Sequence, residues 1–361
     1  MIFNKNGAGA SEMKELIGFI YKSINFNNLA TFISFAERDL KKVIGLEVWA
    51  QAFAHYWSNA VPPNPPAEGD DVTPVEQIND PGTEPAPPIT WGRYIFLNEL
   101  VKKVQLPVAI HAYRRYVPGA DLSHSDKGRQ IFVSEQEKPA FEWMIEKDNQ
   151  NLLALASEAT DNLLEWLDEN IATNESDGPP FLTWGSSQAF VERKRLFIST
   201  AEQFDSVISI GRSRLTFLAL APFIKRTQEI EIRSCFTEEK FAELKDQHAA
   251  GEFSDANKPL FELLVQPLAL LALSNAVKRL SSEVLPDGIF NNAISNVIRE
   301  KRVTTKLDRN EISLSLEKDG LRELAKLQLF LQKQAQALLG LPPVSADPSE
   351  RIDETKLFVQ L

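Results

Sequence analysis

The chain has 361 residues, 43% of them hydrophobic, a single cysteine and a formal net charge of −11 with a pI near 5.1. That is enough apolar material for a sizeable core spread over two domains, and the acidic balance argues against broad nucleic-acid or anionic-membrane binding, which needs clustered Lys and Arg. Cys235 alone rules out an intrachain disulfide and a cysteine-based zinc site, and such usage is compatible with a reducing cytoplasm.

The opening MIFNKNGAGASEMKEL lacks the basic and apolar regions of a secretory signal. The longest apolar run, Leu263 to Ala272, is interrupted by Gln266 and Pro267 and falls short of the roughly 20 residues of a bilayer span. We therefore expect no membrane partner and a chain soluble where it is made. Ser11 to Lys22 reads as a short amphipathic helix. Asn28 to Trp57 is a longer one, with Phe32, Phe35, Ala36, Leu40, Val43 and Ile44 at three- and four-residue spacings. The segment 61–88 then carries proline after proline among Glu, Asp and Gly, which neither helix nor central strand tolerates, so it reads as a long extended loop.

Helix returns from Trp91 to Tyr116, followed by a turn at SHSDKG that contains His124. Ser134 and Glu137 have capping-box spacing ahead of a helix from about Pro139 to Asn170. Its apolar line is Leu152, Ala156, Ala159, Leu163 and Leu167. Beside it runs an acidic line, Glu158, Asp161, Glu165 and Asp168, which reads either as a face presented to a partner or channel or as an ordinary solvated face. Between 179 and 216 the composition turns basic, with Arg193, Lys194, Arg195, Arg212 and Arg214, and Ser199 with Glu202 suggests another capped helix start. Thr237 followed by two glutamates reads as an N-cap. A long apolar helix is expected from Asn257 to Glu283. Ile312, Leu314 and Leu316 alternate behind a turn-like Asp308-Arg309-Asn310, which suggests a β-hairpin over 299–316. A last helix, Lys318 to Leu339, stops at Gly340, and the arm 341–361 ends in an apolar patch containing Leu357, Phe358 and Val359.

Two stretches echo one another about 160 residues apart. VQLPVAIHAY places Pro107, Ala109 and Ala112 where VQPLALLALS and its surroundings place Pro267, Ala269 and Ala272, and Val104 and Val108 meet Leu264 and Leu268. We read a tandem duplication, the pattern of scaffolds and assemblies, with a kink or break expected at both prolines. The expected fold is mainly α. A first helical unit spans 1–178 and contains the insertion 61–88, a basic linking segment spans 179–216, and a second unit with the hairpin spans 217–340, followed by the arm.

Chemistry is sparse. His55, His111, His124 and His248 show no metal-ligand spacing, and no serine, cysteine or phosphate-cradling motif is present. We expect no catalytic residue, no metal and no cofactor. Gly211-Arg212-Ser213-Arg214 is the sharpest polar motif: two arginines able to grip carboxylate or phosphate, or to form ordinary salt bridges.

FISTAEQFDSVISIGRSRLTFLALAPFIK, the opening MIFN, and the order of VQLPVAIHAY, SHSDKG and AFEWMIEKDNQNLLALASEATDNLLEWL resemble an uncharacterised family of structural proteins of tailed phages and prophages. That order is also similar to the helical head–tail connector (adaptor) proteins of long-tailed phages. The resemblance implies a virion structural protein of the phage neck, assembled in the host cytoplasm, with a portal protein on one side and a tail-side neck or tail-completion protein on the other. It implies a homo-oligomeric ring of about twelve copies, through which DNA passes without sequence-specific binding. On that reading Glu158, Asp161, Glu165 and Asp168 face the channel, and Arg193, Arg195, Arg212, Arg214, Leu357, Phe358 and Val359 make interfaces. The alternative is a non-viral helical adaptor in a bacterial complex that uses 61–88 as its ligand segment. A third reading is an enzyme with a cryptic carboxylate or arginine site.

Overall fold

The computed structural model describes residues 1–18, 25–58, 90–120, 123–125, 128–130, 141–174, 180–279 and 306–338. It is mainly helical and divides into two compact units. Unit 1 comprises Met1–Lys194 with Arg212–Ala219, and unit 2 comprises Arg195–Gly211 with Leu220–Leu361. The basic segment 179–216 is therefore not a separate linker. It divides between the units, and the first boundary falls after Lys194.

Unit 1 contains α1 (Gly9–Ile17), α2 (Phe26–Trp57), α3 (Trp91–Ala120), strands β1 (Ser123–Ser125) and β2 (Gly128–Gln130), α4 (Glu142–Glu169) and α5 (Gln188–Lys194). Helix α3 is the axis: α1, α2 and α4 all pack against it. The core holds Leu29, Ile33, Ile44 and Val48 from α2, Leu100, Val104 and Val108 from α3, and Ala156, Leu163 and Leu167 from α4. The apolar line read along α4 is buried throughout. Asn25 caps α2, its side chain accepting from the Asn27 amide at 3.1 Å. Gly45 interrupts α2 with φ 83° and ψ 163°, a conformation that a side chain disfavours.

Of the kink or break expected at Pro107, the break does not occur: α3 runs on through it. An interior proline costs about 3 kcal/mol, but each fully buried aliphatic side chain returns roughly 1.5–3 kcal/mol. Val104 and Val108 flank the proline, both wholly buried. His124 lies in β1, paired with Arg129 of β2, rather than in a turn.

Unit 2 contains α6 (Ala201–Asp205), most of α7 (Arg214–Thr227), a π turn (Gln228–Ile232), a 3-10 turn (Arg233–Cys235), α8 (Glu238–Ala250), α9 (Lys258–Arg279) and α10 (Lys306–Leu338). Thr237 caps α8 as expected, accepting from the Lys240 amide at 3.3 Å. The cap before α6 is Thr200, one residue beyond the expected Ser199. Its hydroxyl accepts from the Gln203 amide, while Gln203 Oε1 accepts from the Ser199 amide at 2.8 Å. Helix α9 also runs on through Pro267. By length and hydropathy α9 alone among the described helices is apolar enough to cross a membrane, but 61% of that stretch is buried inside the protein, as in a core helix. Its partner is α10, which lies along it.

The expected hairpin over 299–316 is corrected from Lys306 onward: these residues open α10. The alternation of Ile312, Leu314 and Leu316 misleads because the buried seam is made of small residues. Ser313 and Gly320 face inward, whereas Leu314 is 61% exposed. Segments 61–88, 299–305 and 341–361 lie outside the described residues, as does the Ser134–Glu137 capping box.

Candidate functional site

The densest polar constellation among the described residues joins the last turns of α4 to α5 and to the start of α7, all within unit 1. Asp168 Oδ1 accepts from Trp184 Nε1 at 2.8 Å and from Arg193 Nη2 at 2.7 Å, and its Oδ2 accepts from Arg193 Nη1 at 3.2 Å. This is a two-pronged carboxylate–guanidinium pair, the geometry that makes arginine the residue of choice for partly buried ion pairs. Arg193 is only 7% exposed. Its guanidinium carbon lies 5.0 Å from the Phe190 ring centroid and 5.6 Å from that of Trp184, close enough for cation–π attraction.

One turn earlier, Glu165 Oε1 pairs with Arg214 Nη1 at 3.2 Å, and Arg214 Nε lies 3.7 Å from Asp168. One turn earlier again, Asp161 Oδ1 accepts from the Leu215 amide at 2.6 Å. Burial raises the Asp161 carboxyl above its usual range, although donors from Leu215, Ser213 and Arg214 pull the other way. The i, i+4, i+7 spacing of these acids on one helix face is what lets a single arginine-bearing helix start meet them all.

The structure thus brings together five residues that the sequence placed in two classes. Asp161, Glu165 and Asp168, expected on a channel face, bind Arg193 and Arg214, expected at an interface, together with the Leu215 amide. Glu158 is exposed and outside the cluster. Arg195 and Arg212 are exposed, Arg195 in unit 2 and Arg212 in unit 1 with a left-handed φ of 54°. Leu357, Phe358 and Val359 lie outside the described residues. The arrangement is suited to locking three segments together. It presents fixed charges already matched to one another.

A second network was not legible in the sequence. Ile2 and Phe3 are buried in unit 1. The Ile2 amide donates to Glu37 Oε1 at 2.6 Å, and Gln105 Nε2 donates to the Ile2 carbonyl at 2.7 Å, both within the core. The Lys5 amide donates to the Tyr56 hydroxyl at 2.7 Å, which in turn donates to Glu12 Oε1 at 2.8 Å. Glu37 and Gln105 interrupt otherwise apolar helix faces, and that interruption was the available signal. His111 is largely buried, its Nε2 3.5 Å from the Thr160 hydroxyl, and burial with Arg114 and Arg115 nearby holds its pKa down to about 4. Cys235 is half-buried, with its thiol pushed up by burial, which disfavours the reactive thiolate. Among the described residues no group of three His, Cys, Asp or Glu side chains is placed to hold a metal.

A family model matches residues 80–187 and 232–338, which together make up more than half of the chain. The chain belongs to DUF6712, a family of unknown function. The first DUF6712 segment holds α3 and α4, with Asp161, Glu165, Asp168 and Trp184, while Arg193 and Arg214 fall outside it. The second holds α8, α9 and α10. No curated protein and no solved structure matches the chain significantly.

Proposed function

We propose that the chain is a virion structural protein, a head–tail connector or adaptor built from two related helical units, which assembles into a ring between the portal and the tail-side neck proteins. The observation that carries the reading is the burial register shared by α3 and α9. Leu100, Val104, Pro107, Val108, Ala109 and Ala112 are buried in unit 1, and Leu260, Leu264, Pro267, Leu268, Ala269 and Ala272 are buried at the same spacing in unit 2. The two DUF6712 segments contain these two helices. A repeated helical unit is an economical source of repeated packing surfaces, which is what an assembly needs. The resemblance in MIFN and in Phe197 to Lys225 supplies the viral setting.

An acidic DNA channel is not part of this proposal, because three of the four carboxylates are engaged by the chain's own Arg193, Arg214 and Leu215. Exposed apolar side chains at Leu46, Phe141, Trp143 and Leu314 support association instead. The test is direct. Native mass spectrometry and negative-stain microscopy of the full chain are expected to show a closed ring, and a tagged chain is expected at the neck of purified particles. A chain that stays monomeric at every concentration, or one absent from particles, overturns the reading.

A further inference from the structure

Beyond the Gly45 interruption, α2 turns an apolar stripe outward. Leu46, Ala50, Phe53 and Trp57 follow one another at steps of four, three and four residues, and all are exposed, Leu46 at 70%. That is the spacing of a helix–helix seam, and Glu47 and Gln51 are the polar residues among its near neighbours. Upstream of the Gly45 interruption the exposed surface of α2 is cationic. Arg38, which lies 5.4 Å over the Phe35 ring, and Lys42 are both exposed. Arg38, Lys42 and Arg115 approach one carboxylate, Asp39, at 3.7, 3.2 and 2.7 Å. Three cations on one anion leave a local positive surplus in a chain of net charge −11. Arg114 beside them has a buried Nε without a hydrogen-bond partner and is electrostatically opposed by Arg115.

The first turns of α4 carry the opposite character. Every residue from Phe141 to Asp148 is exposed, so among the described residues these turns have no packed face. Phe141 is 68% and Trp143 60% exposed, with Met144 and Ile145 also open. Glu142, Glu146 and Asp148 are interleaved with them against one cation, Lys147.

We infer that the outer face of α2, from Arg38 to Trp57, receives the projecting head of α4, Phe141 to Asp148, from a second copy of this chain. Both patches are apolar, each is left uncovered by the described residues of its own unit, and their charges are opposite in sign. Aromatic anchors entering a helix seam with a charged rim are the usual anatomy of a protein interface. Two different patches meeting in this way make a head-to-tail contact, which closes into a ring when the rotation permits. The inference rests on the assembly reading above and names the contact through which assembly proceeds.

Sedimentation velocity of the full chain tests it. Arg38→Glu with Lys42→Glu is expected to weaken association at least tenfold, as is Glu142→Lys with Glu146→Lys. Mixing the two variant chains is expected to restore complexes through the swapped charges. All four side chains are at the surface, and circular-dichroism melts check that each variant folds. An independent arm needs no charge change: in a Cys235→Ser background, a tagged Leu46→Cys chain mixed with an untagged Trp143→Cys chain is expected to form a mixed disulfide under mild oxidation. Wild-type oligomers that ignore both charge reversals and give no mixed disulfide overturn this contact while leaving the assembly reading standing. A wild-type chain that is monomeric throughout overturns both.

Discussion

Arg193 and Asp168 hold each other in a setting where neither can be removed cheaply. With Arg193 almost inaccessible and Asp168 about a quarter exposed, deleting the guanidinium strands a carboxylate against Trp184, and Arg214 lies too far to replace it at hydrogen-bond distance. Loss of one partner from a buried pair costs roughly 3–5 kcal/mol; the partial exposure of Asp168 places Arg193→Ala near the lower end, about 3 kcal/mol, read by urea denaturation. Arg193→Met with Asp168→Leu is expected to recover part of that loss, because apolar replacement removes the stranded charge as well. His111 makes a pH prediction. Its folded pKa of about 4 lies below the ordinary 6.5 of a free imidazole, so the unfolded chain takes up the proton first. Stability from this residue is complete above pH 6.5, declines as pH falls towards 4 and levels off below that. The total is on the order of 3 kcal/mol. Comparing chemical unfolding of wild type and His111→Leu across pH 7 to 4 isolates it; parallel curves would remove His111 from the account. At this scale the sequence displays the chemistry-bearing side chains but not their partners. Helical spacing puts Asp161, Glu165 and Asp168 on one face, yet which cations reach that face depends on a chain reversal more than twenty residues downstream.

The helices are where the sequence is most informative, and α10 is where it fails. Amphipathic periodicity identifies α2 and α4 to within a few residues at the described ends, since their buried positions are mostly apolar, and the cap at Thr237 marks the start of α8. In α10 the buried seam against α9 is instead built from Ser313 and Gly320, with Leu324 and Leu327 further on. Ser274 and Ser313 exchange hydrogen bonds across it: Ser274 Oγ donates to the Ser313 carbonyl at 2.9 Å, and Ser313 Oγ donates to the Ser274 carbonyl at 3.1 Å. Small residues bring the two backbones together, and Leu314, at the centre of the apparent core pattern, is left outside. A Cβ on Gly320 would lie 2.7 Å from Leu271 Cγ. Gly320→Ala gains about 1 kcal/mol of helix propensity but forces the α9–α10 seam apart, and overpacking costs roughly 1–3 kcal/mol. The expected net change is therefore destabilising, and Gly320→Val more so. A thermal melt measures it, and Leu271→Ala in the same chain should relieve part of the strain. A stabilised Gly320→Ala would show that the seam is not close-packed there.

At the scale of the whole molecule, the instructive error is the linker. A change from acidic to basic composition over 179–216 is the usual mark of a connecting segment, and the cationic run is real. But charge that contrasts with its flanks is also charge that its flanks attract. Arg193 and Arg214 belong to unit 1 because Asp161, Glu165 and Asp168 are there to meet them, and the partly buried Leu218 packs against the unit 1 core. The chain leaves unit 1 after Lys194 and comes back at Arg212, so unit 1 is discontinuous in sequence. This has a measurable consequence for truncation. A fragment 1–194 keeps the Arg193–Asp168 pair but loses Arg214, the amide of Leu215 and the side chain of Leu218. It leaves Glu165 unpaired and Asp161, whose carboxyl is already raised by burial, without its donors. An unsatisfied buried acceptor costs about 1–3 kcal/mol, and re-exposing a leucine costs up to about 3 kcal/mol more. A fragment 1–219 should accordingly melt several degrees above 1–194. Equal melting temperatures would mean that residues 212–219 contribute nothing to unit 1 and that its boundary lies at Lys194.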